Sequence, residues 1–159
     1  MDNKKILKHR WMKPLIQEAR RLGYKVRLVP DSRDIGLSDA YGCHQKGLLT
    51  VVLKDHQGVK MSIADITWVL AHEVRHAQHV ATGAFSRYYN DDNCDLDYGL
   101  KTERNCDAYA DNYVDGFDDM KVKPRMYKRD YPVHKVSGYE GKVARINKRI
   151  SNLMQFLNK

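Results

Sequence analysis

Two histidines and a glutamate at fixed spacing, His72-Glu73-Val74-Arg75-His76, are the residues of this 159-residue chain best suited to chemistry. They make up a complete HExxH pattern. Histidines four apart stand one turn above each other on an α-helix, so both imidazoles can reach one metal ion. Glu73 projects about 100° around the helix from His72, toward the open side of such an ion. There it can take a proton from a metal-activated water, the chemistry by which zinc peptidases work near neutral pH.

A catalytic zinc usually has three protein ligands and one open position. His79 lies on the same helical stripe, but it is seven residues from His72, about 10.5 Å along a straight helix, too far to share one ion with it. Glu103, 27 positions after His76, is the better third ligand. Its segment carries Cys106, Tyr109, Tyr113 and Phe117 at helical spacing, so Glu103 is expected on a second packed helix. Asp107, one turn later, can accept a hydrogen bond from the far nitrogen of a ligand histidine. Cys94, Cys106 and Asp95 are alternative donors, with Cys106 falling on the apolar stripe expected of a core residue.

The elements that must position these groups are also visible. Ser62-Ile63-Ala64-Asp65 reads as a variant capping box, with Met61 and Ile66 placed for a hydrophobic staple. Apolar residues at Ile63, Ile66, Val69, Leu70, Ala77, Val80 and Ala81 follow a helical period, and Thr82-Gly83 supplies a stop. The active-site helix is therefore expected from about residue 63 to about 82. An earlier helix is expected from about Pro14 to Leu22-Gly23. Strands are expected at Tyr24 to Val29, near Asp39 to His44, and at Leu48 to Leu53. An edge strand of such a sheet could take an extended peptide as an added strand.

The order His72-Glu73-x-x-His76 followed by Glu103-x-x-Cys106-Asp107-x-Tyr109-Ala110 resembles the gluzincin-type peptidases of the ImmA/IrrE group, whose signature is HExxH and then a motif close to E-x-x-A-N-x-F-A. The likeness spans roughly residues 10 to 115 in organisation and rests on about a dozen residues. Arg75 stands where that group usually has Gly, and Asp107 where it usually has Asn. The resemblance implies an α+β zincin-like domain and a zinc peptidase acting on protein, with His72, His76 and Glu103 as ligands and Glu73 as base. A competing reading is an SprT-like peptidase acting on proteins near DNA, although that family's third ligand is normally a histidine. A third is a binding module in which zinc is purely structural.

Composition fits a compact enzyme. At 42% hydrophobic the 159 residues suit one domain with a sizeable core. No run of 18 apolar residues appears, and no secretory signal is visible after Met1, so no membrane association is expected. Three cysteines, Cys43, Cys94 and Cys106, leave one without a partner, which favours a reducing, cytoplasmic setting.

Charge is uneven: net +7 over residues 1–90, −8 over 91–120 and +9 over 121–159. Asp91, Asn93, Asp95 and Asp97 imitate the start of a calcium loop, but Leu96 replaces the required Gly and Thr102 the closing Glu, so a solvated acidic loop is expected instead. Residues 137–158 form the last expected element, a basic amphipathic helix opened by the capping box Ser137-Gly138-Tyr139-Glu140. Its stripe of Val143, Ile146, Ile150, Leu153 and Leu157 is read as packing on the core, in preference to a nucleic-acid contact through Lys142, Arg145, Lys148 and Arg149. For oxyanion stabilisation the candidates are His134, Tyr88 and Tyr89.

Overall fold

A computed structural model describes residues 2–35, 40–91 and 93–129. It is an α+β arrangement of five helices and a three-stranded mixed sheet. In chain order these are α1 (Asn3–Leu7), α2 (Lys13–Arg21), β1 (Lys25–Val29), β2 (Gly42–Gln45), β3 (Leu48–Val52), α3 (Ile63–Thr82), α4 (Ser86–Asn90) and α5 (Leu96–Asp115). A short 3-10 turn, Ser32–Ile35, follows β1. No helix is long and apolar enough to cross a membrane among the described residues. The basic segment 137–158 and His134 lie outside them.

The sheet order is β1-β3-β2, with β1 parallel and β2 antiparallel to β3. β2 and β3 are joined through Lys46-Gly47, and Gly47 takes φ of +73°, a backbone region glycine enters without penalty. Central β3 contributes Leu49, Val51 and Val52 to the core, each fully buried. That is the burial a strand flanked on both edges can support.

Helix α3 begins where its side chains dictate. Ser62 Oγ accepts from the backbone N–H of Asp65 at 3.0 Å, and Asp65 Oδ2 accepts from the N–H of Ser62 at 2.9 Å. These bonds satisfy two of the donors a helix start leaves open. It ends at Gly83, which adopts the left-handed conformation of a C-cap. Between the caps α3 is buried on almost every side, because it packs against β2, β3, α2 and α5. Only Met12, Leu15 and similar apolar groups would be expected in such a place, yet His72, Glu73, His76 and His79 are buried there too.

Helix α5 runs antiparallel to α3, and polar pairs cross between them like rungs. Trp68 Nε1 donates to Asp111 Oδ1 at 2.8 Å, His72 meets Asp107, and His76 meets Glu103. Each step moves four residues up one helix and four down the other, the spacing that keeps side chains on one face. Three elements differ from the sequence reading. α1 and α4 are additional short helices, and β2 starts at Gly42, not near Asp39. The acidic segment is not wholly a solvated loop either: Asp95 caps α5 by accepting from Tyr98 N–H at 2.8 Å. Phe117 lies beyond the end of α5, although it packs against the core.

Candidate metal centre

The HExxH residues sit at mid-length in α3, where burial fixes their rotamers. His72 Nε2 and His76 Nε2 are 3.1 Å apart. Glu103 reaches both from α5, with Oε2 3.1 Å from His72 Nε2 and Oε1 3.4 Å from His76 Nε2. Donor atoms of a tetrahedral zinc with bonds of about 2.0–2.1 Å stand about 3.3 Å from one another. The histidine pair and the two Glu103 contacts, made by different carboxylate oxygens, lie close to that edge length. Glu103 is also seven residues into α5, so helix-start electrostatics do not explain its placement.

A second donor set shares the same pair. The ligand atoms of His72, His76 and Cys106 lie within 4.8 Å of one another, and this buried group could hold a metal ion. Cys106 and Glu103 approach different edges of His76. Cys106 Sγ approaches Nδ1 at 3.5 Å, whereas Glu103 approaches Nε2. His72 presents Nε2 to His76 Nε2, so the edge at which the imidazoles converge is the one Glu103 shares. The Cys106 thiol is held well above its ordinary range, first by burial and then by the charges of Glu103, Glu73 and Asp107.

Charge at the site is unbalanced. Glu73, Glu103 and Asp107 are all buried, and the nearest guanidinium is that of Arg129, whose Nε and Nη2 donate to Asp107 at 2.8 and 2.9 Å. Burial would depress the His72 pKa, but hydrogen bonds to Asp107 and Glu103 and the charges of Glu103 and Glu73 outweigh it and raise it to about 9. Burial likewise opposes ionisation of Glu103, yet the two histidines hold its carboxyl well below the ordinary range. A divalent ion fits this donor set in both spacing and charge.

Glu73 is held by the sheet. A Cβ at position 42 would fall 2.7 Å from Glu73 Oε1 and 2.8 Å from Val69 Cγ1, so only glycine lets β2 approach α3 this closely. β2 is an edge strand, and its Gly42 therefore faces the proposed base.

The remaining polar groups form a shell. Tyr88 stacks on His76, with centroids 5.7 Å apart and planes 9° from parallel, and its hydroxyl donates to Glu103 Oε1. Tyr89 instead occupies the Nδ1 edge of His76, its oxygen 2.7 Å from His76 Nδ1 and 2.9 Å from His79 Nδ1. That edge points away from Glu103, so Tyr89 is badly placed for an oxyanion. His79 is not with the converging atoms: it bonds Tyr89 and Asn105, and burial, the largest influence, lowers its pKa to about 4. His44, on β2, bonds Tyr24 and lies 6.0 Å from the His76 ring.

Sequence reasoning overlooked Gly42, His44, Asn105 and Arg129. A glycine inside an alternating strand was the one available signal, since it often marks close backbone approach. No family model matches this chain, and comparison with curated proteins and with solved structures returns no match either.

Proposed function

We propose that the protein is a zinc metallopeptidase with His72, His76 and Glu103 as metal ligands and Glu73 as general base. The observation that carries this reading is the convergence of His72 Nε2, His76 Nε2 and the Glu103 carboxylate at 3.1–3.4 Å. Zinc held there would supply Lewis acidity, polarising a carbonyl and acidifying water. Glu73 takes the proton from the attacking water and returns it to the departing amine. Gly42 keeps the Glu73 carboxylate against the sheet, restricting its rotation. Asp107 accepts from His72 Nδ1–H, which leaves Nε2 free to coordinate.

The substrate class this favours is an extended peptide. β2 pairs with β3 and its Gly42 lies against Glu73, so a peptide running alongside this strand would pass the base. The zincin-like and ImmA/IrrE-type assignment rests on the motif order together with this placement of Glu103 on a second helix. An SprT-like enzyme is less favoured, because Glu103 fills the position of a histidine. None of Cys43, Cys94 and Cys106 forms a disulfide among the described residues, which fits a cytoplasmic setting.

The test is a crystal structure with anomalous scattering at the zinc edge, paired with peptidase assays of Glu73→Gln. One zinc on His72, His76 and Glu103 with an open position supports the reading. Four protein ligands would overturn it in favour of a structural zinc, and undiminished hydrolysis by Glu73→Gln would overturn the role of Glu73 as base.

A further inference from the structure

Behind His76, on the edge facing away from Glu103, four side chains from three helices form one continuous chain of hydrogen bonds. Arg75 Nε lies 2.9 Å from Asn105 Oδ1, which lies 2.8 Å from His79 Nε2. His79 Nδ1 lies 2.9 Å from the Tyr89 oxygen, which lies 2.7 Å from His76 Nδ1. We propose that Arg75, Asn105, His79 and Tyr89 are a directional relay that fixes the ring hydrogen of His76 on Nδ1 and thereby presents its Nε2 lone pair to the metal position. This rests on the metal-centre reading above and adds residues to it.

The direction follows from donor inventory alone. A guanidinium has only donors, so the Asn105 atom facing Arg75 must be the carbonyl oxygen. That oxygen accepts, so His79 contributes an N–H from Nε2. His79 faces an amide, a phenol and the Cys106 thiol here, not a carboxylate, and its Nδ1 is therefore the acceptor. The Tyr89 hydroxyl donates to it. With its hydrogen spent, the Tyr89 oxygen accepts from His76, which must carry its hydrogen on Nδ1. Cys106 Sγ also lies 3.5 Å from His76 Nδ1 and 3.9 Å from His79 Nδ1, but a thiol is a weak donor and the shorter Tyr89 contacts set the direction.

The relay is anchored at its far end. Arg75 Nη1 donates to Gln78 Oε1 at 3.0 Å, and its guanidinium lies 5.3 Å from the centre of the Tyr109 ring. Gln78 Nε2 in turn donates to Glu18 of α2 at 3.1 Å. A side chain locked at both ends of its polar head holds its orientation better than one held once. The two histidines are thus oriented by different devices: His72 directly by Asp107, and His76 through four side chains that begin at Arg75, the second variable position of its own motif.

The experiment reads tautomers and metal affinity separately. Long-range 1H–15N spectra of the metal-free protein are expected to show His76 protonated on Nδ1 and His79 on Nε2. In Asn105→Leu the relay loses its acceptor; His76 should then populate the Nε2–H form, and affinity for Co2+ or Zn2+ by chelator competition should fall about 10–100-fold. Tyr89→Phe, which removes the bridge with little change of shape, should do the same and keeps the test decisive if Asn105→Leu unfolds. A merely structural role predicts lower thermal stability with an unchanged tautomer and unchanged affinity, and that result overturns the relay, as does Nε2–H His76 in the wild type. If wild type binds neither metal, the metal-centre reading fails, while the tautomer spectra still decide the direction of the relay.

Discussion

His72 and Asp107 face each other across the antiparallel pair α3 and α5 with Nδ1 and Oδ1 2.8 Å apart, and Arg129 holds the same carboxylate from its far side. Burial would raise the Asp107 pKa, but the bonds from His72 and Arg129 override it and keep the carboxyl below its ordinary range. Asp107 is therefore a fixed acceptor. Asp107→Ala should lower zinc affinity about 10–100-fold while leaving one site per chain. Chelator competition measures this; an unchanged affinity would mean that the His72 orientation comes from elsewhere.

The two donor sets make opposite predictions for Cys106 and Glu103. One zinc per chain should bind to the wild type and be lost in the His72→Ala/His76→Ala double variant, as read by atomic absorption. Glu103→Ala should weaken binding strongly, because it removes a converging ligand. Cys106→Ala should leave affinity nearly unchanged, at the cost of a small buried cavity. The reverse pattern for these two single variants would move the third ligand to Cys106.

Catalysis and metal binding should separate at Glu73. Glu73→Gln keeps the shape of the side chain and removes the base, so zinc content should persist while hydrolysis falls about 10²–10⁴-fold. Gly42→Ala should imitate it in part, since a methyl group would fall 2.7 Å from Glu73 Oε1 and displace it. Its effect should appear in kcat with zinc content retained. Full activity in Gly42→Ala would show that the carboxylate position is not critical.

How much of this was legible depended on the range of each interaction. α3 was readable to the residue because both its ends are set by local chemistry, the Ser62–Asp65 box and Gly83. Glu103 stands out in the sequence because the incomplete coordination of the HExxH pattern asks for a further ligand of its type. The start of α5 at Leu96 was not seen, since a cluster of aspartates reads as loop until one of them is known to cap a helix. Asn105, Arg129 and Gly42 were invisible for another reason. Their roles exist only once α5, the segment after it and β2 have been brought against α3, and nothing in their local sequence announces that contact.

The basic segment 121–159 yields a prediction from sequence pattern. If the stripe of Val143, Ile146, Ile150, Leu153 and Leu157 packs on the core, Ile150→Asp should destabilise by at least the ~2–5 kcal/mol of a lost buried Ile. Reversing Lys142, Arg145, Lys148 and Arg149 to Glu should change thermal stability little, as exposed charges contribute little each. Steeply salt-dependent DNA binding that this reversal abolishes would make the segment a recognition surface instead.

The last prediction concerns what holds the start of α3 in place. The Arg125 backbone N–H donates to Asp65 Oδ1 at 2.8 Å, its Nε to Asp65 Oδ2 at 3.3 Å, and its Nη1 to Asp55 Oδ2 at 2.8 Å. Arg125, in the segment after α5, thus clasps the capping box of α3 to the turn before it. Burial opposes ionisation of Asp55, but the Arg125 side chain and the backbone N–H groups of Val59 and Gln57 prevail and lower its pKa below 3.8. A group depressed on folding contributes stability above its unfolded pKa and loses it as pH falls through the folded value. Arg125→Ala should therefore lower the melting temperature at neutral pH, because the Asp55 carboxylate loses its cation. The gap between variant and wild type should narrow as pH drops below 3.8, where Asp55 takes up a proton in both proteins. Melting curves at several pH values would measure it. A gap that stayed constant through that range would assign the Arg125 contribution to packing and to its Asp65 contacts, not to the Asp55 charge.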